Sequence, residues 1–370
     1  MPIKIKPVLL VFLVLCILSW QSLNAAVIDD LYDAQIAVAD QSEQTQNKAF
    51  SLAFQQVLIK VRGKDDLLTD QKIKKAITKA TRFVRSYSYD IKGSQLYLRI
   101  SFDPQRVESI VRGAGFPVWD RRRPDSLIWL AIQPSDDSAR QTMGQVEYIE
   151  IYRQLSLRAE QRGITLMFPL WDLDDVQSLS VFDIWGGFIA QITQASERYA
   201  VPSVLSARIY VDNNSSDNAQ TSVVLNKNSM PSWSADWTMI EGGGLLAGQV
   251  QGDSLLIIAD GLIDELADQL SLKYAIDLTQ VNRADTKVQI VINNIDSLIH
   301  YSQALNSLEN MSVVNDVTLI KQQGPRATFE LELLGDIKDL TNALNLDNKI
   351  KPVVDSFGQP ISGLEFFWLK

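Results

Sequence analysis

The stretch from Thr286 to Leu334 reads TKVQIVINNIDSLIHYSQALNSLENMSVVNDVTLIKQQGPRATFELELL, and its pattern decides the fold class. Thr286 to Ile292 reads as a strand and Ser297 to Leu308 as a helix. Two further strand-like runs follow, Ser312 to Ile320 and Ala327 to Leu334. With a helix at Asp336 to Leu344 and a closing strand, the order is β-α-β-β-α-β. That is a split βαβ, ferredoxin-like unit, an architecture that hosts many unrelated functions and specifies no chemistry by itself. The chain then ends on Gly363-Leu364-Glu365-Phe366-Phe367-Trp368-Leu369-Lys370. Termini usually fray, so a run this apolar docks as a strand, either in this protein or in a partner. Phe366 and Trp368 are therefore candidates for an interaction surface.

Upstream, the polar segment Asp277 to Asp285 reads as a linker, and before it lies a sheet-and-helix pattern. Leu127 to Ile132 is apolar and bounded by Pro134, as a buried strand is. Gly144 to Arg162 follows as a helix, Ile164 to Phe168 as a strand and Phe182 to Tyr199 as a helix. Strands are expected at Ser203 to Tyr210, Gln220 to Leu225, Ser232 to Ile240 and Gly244 to Gln251, and a helix from Ser254 to about Lys273. Glu241-Gly242-Gly243-Gly244 reads as a hairpin turn.

The first part begins with an amphipathic helix. Ala49, Phe50, Ala53, Phe54, Val57, Leu58 and Val61 recur at three- and four-residue steps and stop at Gly63. A short helix from Asp70 to Ala80 leads to a hairpin, Phe83 to Ile91 and Gln95 to Phe102, turning at Lys92-Gly93-Ser94. Asp103-Pro104 supplies an N-cap with proline at the first helical position. This part reads α-α-β-β-α.

At the amino terminus, Lys4 and Lys6 precede the apolar run Val8 to Trp20, and Ala25 and Ala26 follow. This is the pattern of a cleaved signal peptide, with the cut after Ala25 or Ala26. A membrane anchor needs about 20 apolar residues and the core here is shorter. Cys16 follows Leu15 rather than the small residue of a lipobox. Removing residues 1–25 takes away Lys4, Lys6 and the single cysteine but no acidic residue, so the formal charge moves from −9 to −11. A thiol-free acidic chain suits an oxidising compartment such as the periplasm, and its acidity argues against nucleic-acid binding. With one cysteine and one histidine in 370 residues, counting argues strongly against disulfide scaffolds, zinc clusters, iron-sulfur sites and a Cys-His pair with a spare ligand.

Leu31-Tyr32-Asp33-Ala34-Gln35, Val38-Ala39-Asp40-Gln41, Phe54 to Gly63, Phe102-Asp103-Pro104 and Gly115-Phe116-Pro117-Val118-Trp119 together resemble an exported proteobacterial envelope family, domain of unknown function 2066. Pro124 to Ala131, Pro169 to Asp175 and Asp183-Ile184-Trp185-Gly186-Gly187-Phe188 are similar to the same family. The resemblance implies export and a shared fold and transfers no activity to any residue. The middle part is similar, at fold level, to the domain that precedes the propeller in the Tol-system periplasmic protein.

Several residues stand out as candidates. Trp185-Gly186-Gly187 sits within a helical pattern, where each glycine costs about 1 kcal/mol against alanine. Either another backbone packs there or the segment, with Asp172, Asp174 and Asp175, lines a ligand or partner cleft. Asp172, Asp174 and Asp175, with Asp183, gather oxygen ligands of the kind calcium or magnesium prefers, or the paired carboxylates of a glycosidase. The plainer reading is a loop whose carboxylates favour a helix start. Arg121, Arg122 and Arg123 offer a basic patch to lipid headgroups or an acidic partner, or form a solvated joint. His300 lacks a Gly-x-Ser-x-Gly elbow and reads as a helix-surface or domain-interface histidine.

The expectation is an α+β chain with mixed and antiparallel sheets: a signal peptide at 1–25, an N-terminal domain at 26–120, a central sheet domain at 125–276 and a ferredoxin-like domain at 286–370. The expected role is a non-catalytic binding or assembly protein of the bacterial envelope, working with another envelope protein and without a cofactor, metal or membrane span in the mature chain. A periplasmic small-ligand binder is the alternative, and a carboxylate-based hydrolase comes third.

Overall fold

The computed structural model describes residues 26–27, 30–135, 137–144, 146–212, 232–277, 287–354 and 363–369. The expected leader, residues 1–25, and the strand expected at Gln220 to Leu225 lie outside the described residues. The fold is α+β, with helices packed on mixed and antiparallel sheets.

The first unit opens with a strand that the sequence pattern concealed, β1 (Asp33–Val38). Helix α1 (Glu43–Arg62) follows, then α2 (Gln71–Ile77), the hairpin β2 (Val84–Lys92) and β3 (Gln95–Phe102), and α3 (Pro104–Gly113). The sheet order is β1-β3-β2, all antiparallel. Ser42 caps α1 by accepting from the Thr45 amide at 3.3 Å, and Gly63 ends it at φ 79°. A Cβ at Gly63 would lie 2.4 Å from that of Ser271, so glycine is required there both for its backbone and for the approach of the next unit. The apolar stripe of α1 is buried as its spacing requires, against Leu98, Ile100 and Phe102 of β3.

The central unit has three layers. Its elements are β4 (Ser126–Gln133), α4 (Ile149–Arg162), α5 (Leu173–Ser178), α6 (Val181–Gly186), α7 (Ile189–Ser196), β5 (Ser203–Asp212), β6 (Ser232–Glu241), β7 (Gly244–Gly252) and α8 (Leu255–Tyr274). The sheet runs β7-β6-β5-β4, with short segments Gln141–Thr142 and Leu166–Met167 paired to β4. β4 and β5 are parallel, and the other main pairs are antiparallel. Alternation along β4 assigns each face: Ile128, Leu130 and Ile132 pack under α4 and α8, while Leu127, Trp129 and Ala131 pack under α5 to α7. Burial on both faces is why β4 reads as one continuous apolar run.

The last unit comprises β8 (Lys287–Asn293), α9 (Leu298–Glu309), β9 (Val314–Gln323), β10 (Arg326–Leu333), α10 (Ile337–Asn345), β11 (Ile350–Pro352) and β12 (Glu365–Trp368). The βαββαβ order is present with one addition. Its fourth strand, β11, is separated from β8 by β12, which runs parallel to β8 and antiparallel to β11. The sheet order is β9-β10-β8-β12-β11. The C-terminal run is thus an interior strand of this protein, and Phe366 and Trp368, each 3% exposed, belong to its core. This corrects the expectation that they form an interaction surface. Interior position and alternation turn both rings toward the helices.

The three units meet at residues 118–123. Val118–Trp119 pairs with Ala275–Ile276, and Arg122–Arg123 pairs with Ala26–Val27. Among the described residues, no helix is long and apolar enough to cross a membrane.

Candidate functional site

Helices α5, α6 and α7 cover one face of the central sheet, and the sequence fixes each of them locally. Asp172 caps α5 by accepting from the Asp175 amide at 3.1 Å. Ser180 and Asp183 form a reciprocal capping box at the start of α6. Gly187 ends α6 at φ 64°. The single helix expected over Phe182 to Tyr199 is therefore two, α6 and α7, broken at the glycines. A Cβ at Gly187 would meet nothing within 4 Å, so its role is to turn the chain and not to admit a close neighbour. A Cβ at Gly186 would touch the Phe188 ring at 3.0 Å.

The acidic cluster has a basic partner distant in sequence. Arg198 Nη1 lies 2.6 Å from Asp172 Oδ1 and 2.9 Å from Asp175 Oδ1, and Nη2 lies 2.8 Å from Asp172 Oδ2. This pairing holds the Asp172 carboxyl down at about 2. Asp175, fully buried, also accepts from the Tyr199 hydroxyl at 2.5 Å and the Trp171 amide at 2.8 Å. Burial first, and the Asp175 bond second, push Tyr199 up to about 12. Asp183 is spent on its capping box and Asp174 is exposed. Carboxylates engaged in this way pin α5 to the end of α7, and among the described residues no group of three or more histidine, cysteine or acidic side chains is placed to hold a metal ion.

On the outside of the same helices, Leu170, Leu173, Val176, Phe182 and Phe188 are each more than half exposed. Leu173 and Val176 are three apart on α5 and so share a side. Leu173 and Val176 on α5, Phe182 on α6, and Leu170 and Phe188 just outside these helices thus leave large apolar side chains exposed along this layer, with the 79%-exposed carboxylate of Asp174 on α5 and 4.0 Å from Arg198.

Trp185 faces the other way. It lines a cleft of ≈ 250 Å³ with Gln133, Arg208, Tyr210 and Val211. Gln133 and Tyr210 are register partners at the carboxyl ends of the parallel strands β4 and β5, where open α/β sheets commonly bind ligands. The Arg140 guanidinium stands 4.5 Å from the Trp185 ring centroid and that of Arg208 6.0 Å. Arg208 also donates to the Trp185 carbonyl at 3.0 Å and to Asp236 at 3.0 Å. Of these residues, the sequence singled out only Trp185. An arginine inside the strand-like run Ser203 to Tyr210 is the signal by which Arg208 could have been found.

Arg121, Arg122 and Arg123 do not act together as a patch. Arg121 is partly exposed over the Tyr32 ring, at 5.6 Å, and lines a groove of ≈ 470 Å³ with Glu108, Arg112 and Ser312 between the first and last units. Arg122 and Arg123 are buried, which corrects their reading as an exposed surface or solvated joint. Arg122 meets Asp347 at 3.0 Å and Asp120 at 3.5 Å and donates to the carbonyls of Ser307 and Asn310. Among the described residues, the Arg123 guanidinium donates to backbone carbonyls, those of Trp119, Asp120, Lys60, Arg162 and Gly163. Both are structural locks. His300 lies in the first turn of α9 with Nδ1 2.6 Å from Oδ1 of Asp296, which precedes the Ser297 cap.

A family model described as Domain of unknown function (DUF8605) matches residues 25–120. The match lies over the first unit and is to a different domain of unknown function from the 2066 family that the sequence motifs resemble, which corrects that resemblance. No curated protein matches the chain.

Proposed function

We propose that the protein is a non-catalytic binding or assembly component of the bacterial cell envelope, exported through a cleaved leader and working in the periplasm. The observation that carries this reading is the apolar layer of Leu170, Leu173, Val176, Phe182 and Phe188 on α5 to α7. Fixed caps and the Arg198 clamp hold these helices rigidly, so their exposed rings are a preorganised surface. The exposed Asp174 carboxylate on the same layer favours a protein whose apolar patch carries lysine or arginine over anionic lipid. The net charge of −9 disfavours nucleic acid as a partner.

The test is a photo-crosslinking amino acid placed in turn at Phe182 and Phe188 in cells. A defined envelope-protein adduct at both positions, absent when the probe sits at exposed Lys75 on the first unit, is the expected result. Labelling of lipid alone, or equal adducts at all three positions, would sink the reading.

The Trp185 cleft supports a second reading, a small-ligand binder. Two guanidinium groups beside one indole favour a flat anionic ligand. Thermal-shift screening with aromatic carboxylates should then give a stabilising hit that Arg208→Gln removes. The hydrolase reading is disfavoured because Asp172 and Asp175 already share Arg198.

A further inference from the structure

Strand β7, Gly244–Gly252, is an outer strand of the central sheet. It pairs with β6 over nine consecutive positions, from Glu241↔Gly244 to Trp233↔Gly252, with no register break. Among the described residues no strand lies on its other side. An open edge presents unpaired N–H and C=O groups, and proteins usually blunt it with charge, proline, a bulge or extreme shortness.

The other outer strands of this molecule carry such features. β9 has Asp316 and Lys321 and two register breaks. β2 has Arg85, Asp90 and Lys92 and one break. β11 is three residues long and ends in Pro352. On β1, side chains take carbonyls at both ends: Lys60 bonds that of Asp33 at 3.1 Å and Gln95 that of Val38 at 3.1 Å. The far edge of the central sheet is the two-residue segment Gln141–Thr142. β7, with the sequence GLLAGQVQG, has no charged residue, no proline and no bulge. Leu245 and Leu246, which point to opposite faces, are 55% and 47% exposed.

The strand is also complementary to itself. Laid antiparallel on a second copy about Gly248, it sets Leu246 opposite Val250, Leu245 opposite Gln251, Ala247 opposite Gln249 and Gly244 opposite Gly252. Apolar meets apolar on the face that packs under α8, where Val250 touches the core, and no charge opposes another. In a chain of net charge −9, two copies repel over most of their surface, and an uncharged strand is where they can approach. We propose that two molecules pair antiparallel through β7, with a two-fold axis at Gly248, so that their central sheets become one. The pairing is independent of the surface on α5 to α7.

Sedimentation equilibrium of the purified chain, as the cell processes it, tests this. The wild type is expected to be a dimer. Leu245→Lys with Gln251→Lys places lysine opposite lysine twice across the axis and should weaken the dimer roughly tenfold. Leu245→Lys with Gln251→Glu places lysine opposite glutamate twice and should restore it. Both substituted positions are exposed, and unchanged thermal melts will show that each variant folds. A monomeric wild type overturns the proposal, whether the edge stays open or takes a strand of a different protein. So does a dimer that survives the lysine pair, or one that the lysine-glutamate pair fails to restore.

Discussion

The guanidinium of Arg123 lies 3.9 Å from the ring centroid of Trp119, with both side chains buried. The stack aims the arginine fork at the carbonyls of Lys60, Arg162 and Gly163. These are the carboxyl ends of α1 and α4, where the last carbonyls lack helical partners and the helix dipoles are negative. One cation thus satisfies two helix ends at once, and it explains how a buried guanidinium with no carboxylate in its fork is tolerated.

Arg123→Met should therefore lower the unfolding free energy by about 3 kcal/mol or more, because several buried carbonyls lose their donor. Arg123→Lys should recover only part, since an ammonium cannot reproduce the planar fork. Denaturant titration of the variants measures both, and a loss below about 1 kcal/mol for the methionine variant would contradict this account.

Gly187 offers a test in which side-chain size should not matter. Its φ of 64° penalises any L residue, yet a Cβ there meets nothing within 4 Å. Gly187→Ala and Gly187→Leu are both expected to lose about 1–2 kcal/mol, with Gly187→Asn losing less. If leucine proves far worse than alanine in thermal unfolding, packing and not backbone conformation governs the site.

Elements with strong local signals were legible in the sequence: the stripe of α1, the buried strand β4, the hairpin turns at Gly93 and Gly242–Gly243, and most of the βαββαβ order. Strand β1 was not, because Ala34 and Ala37 blunt its alternation and its partner β3 lies about sixty residues on. The insertion of β12 beside β8 is a pairing across more than seventy residues that no local pattern encodes. The candidate site shows the same limit. Asp172 and Asp175 read as a free acidic cluster until Arg198 is placed against them. Arg122 and Arg123 read as solvated because charge in a one-dimensional pattern says nothing about the carbonyls and carboxylates that fold around it.

Asp347 should make stability fall in acid. Burial favours its neutral form, but Arg122, the amides of Ile350 and Lys349 and the Ser307 hydroxyl outweigh that and hold its pKa below the ordinary aspartate value. A carboxyl depressed in the folded state contributes its stability in full above the unfolded value of about 4 and loses it as pH falls through the lower folded value. Asp347→Asn is expected to cost about 3 kcal/mol near neutral pH, by leaving Arg122 with weaker compensation, and less in acid below the folded value. Urea titrations at the two pH values check the sign, and a variant equally destabilised at both would rule out Asp347 as the group responsible.

The last strand gives the sharpest contrast between a core element and a free terminus. Trp368 is 3% exposed and pairs with Ile350, while Phe366, equally buried, pairs with Ile292 of β8 and Pro352 of β11. Removing β12 would separate β11 from β8 and open the sheet at its middle, so the loss exceeds that of an edge strand. Trp368→Ala should cost about 3–5 kcal/mol, the range for deleting a buried aromatic side chain. Deleting residues 366–370 should do more, and should unfold the last unit while α1 and its sheet keep their amide-exchange protection, since their core is separate. Hydrogen exchange across the chain reads both effects. Intact protection of β8 and β10 in the truncated protein would show that β12 is dispensable to the sheet.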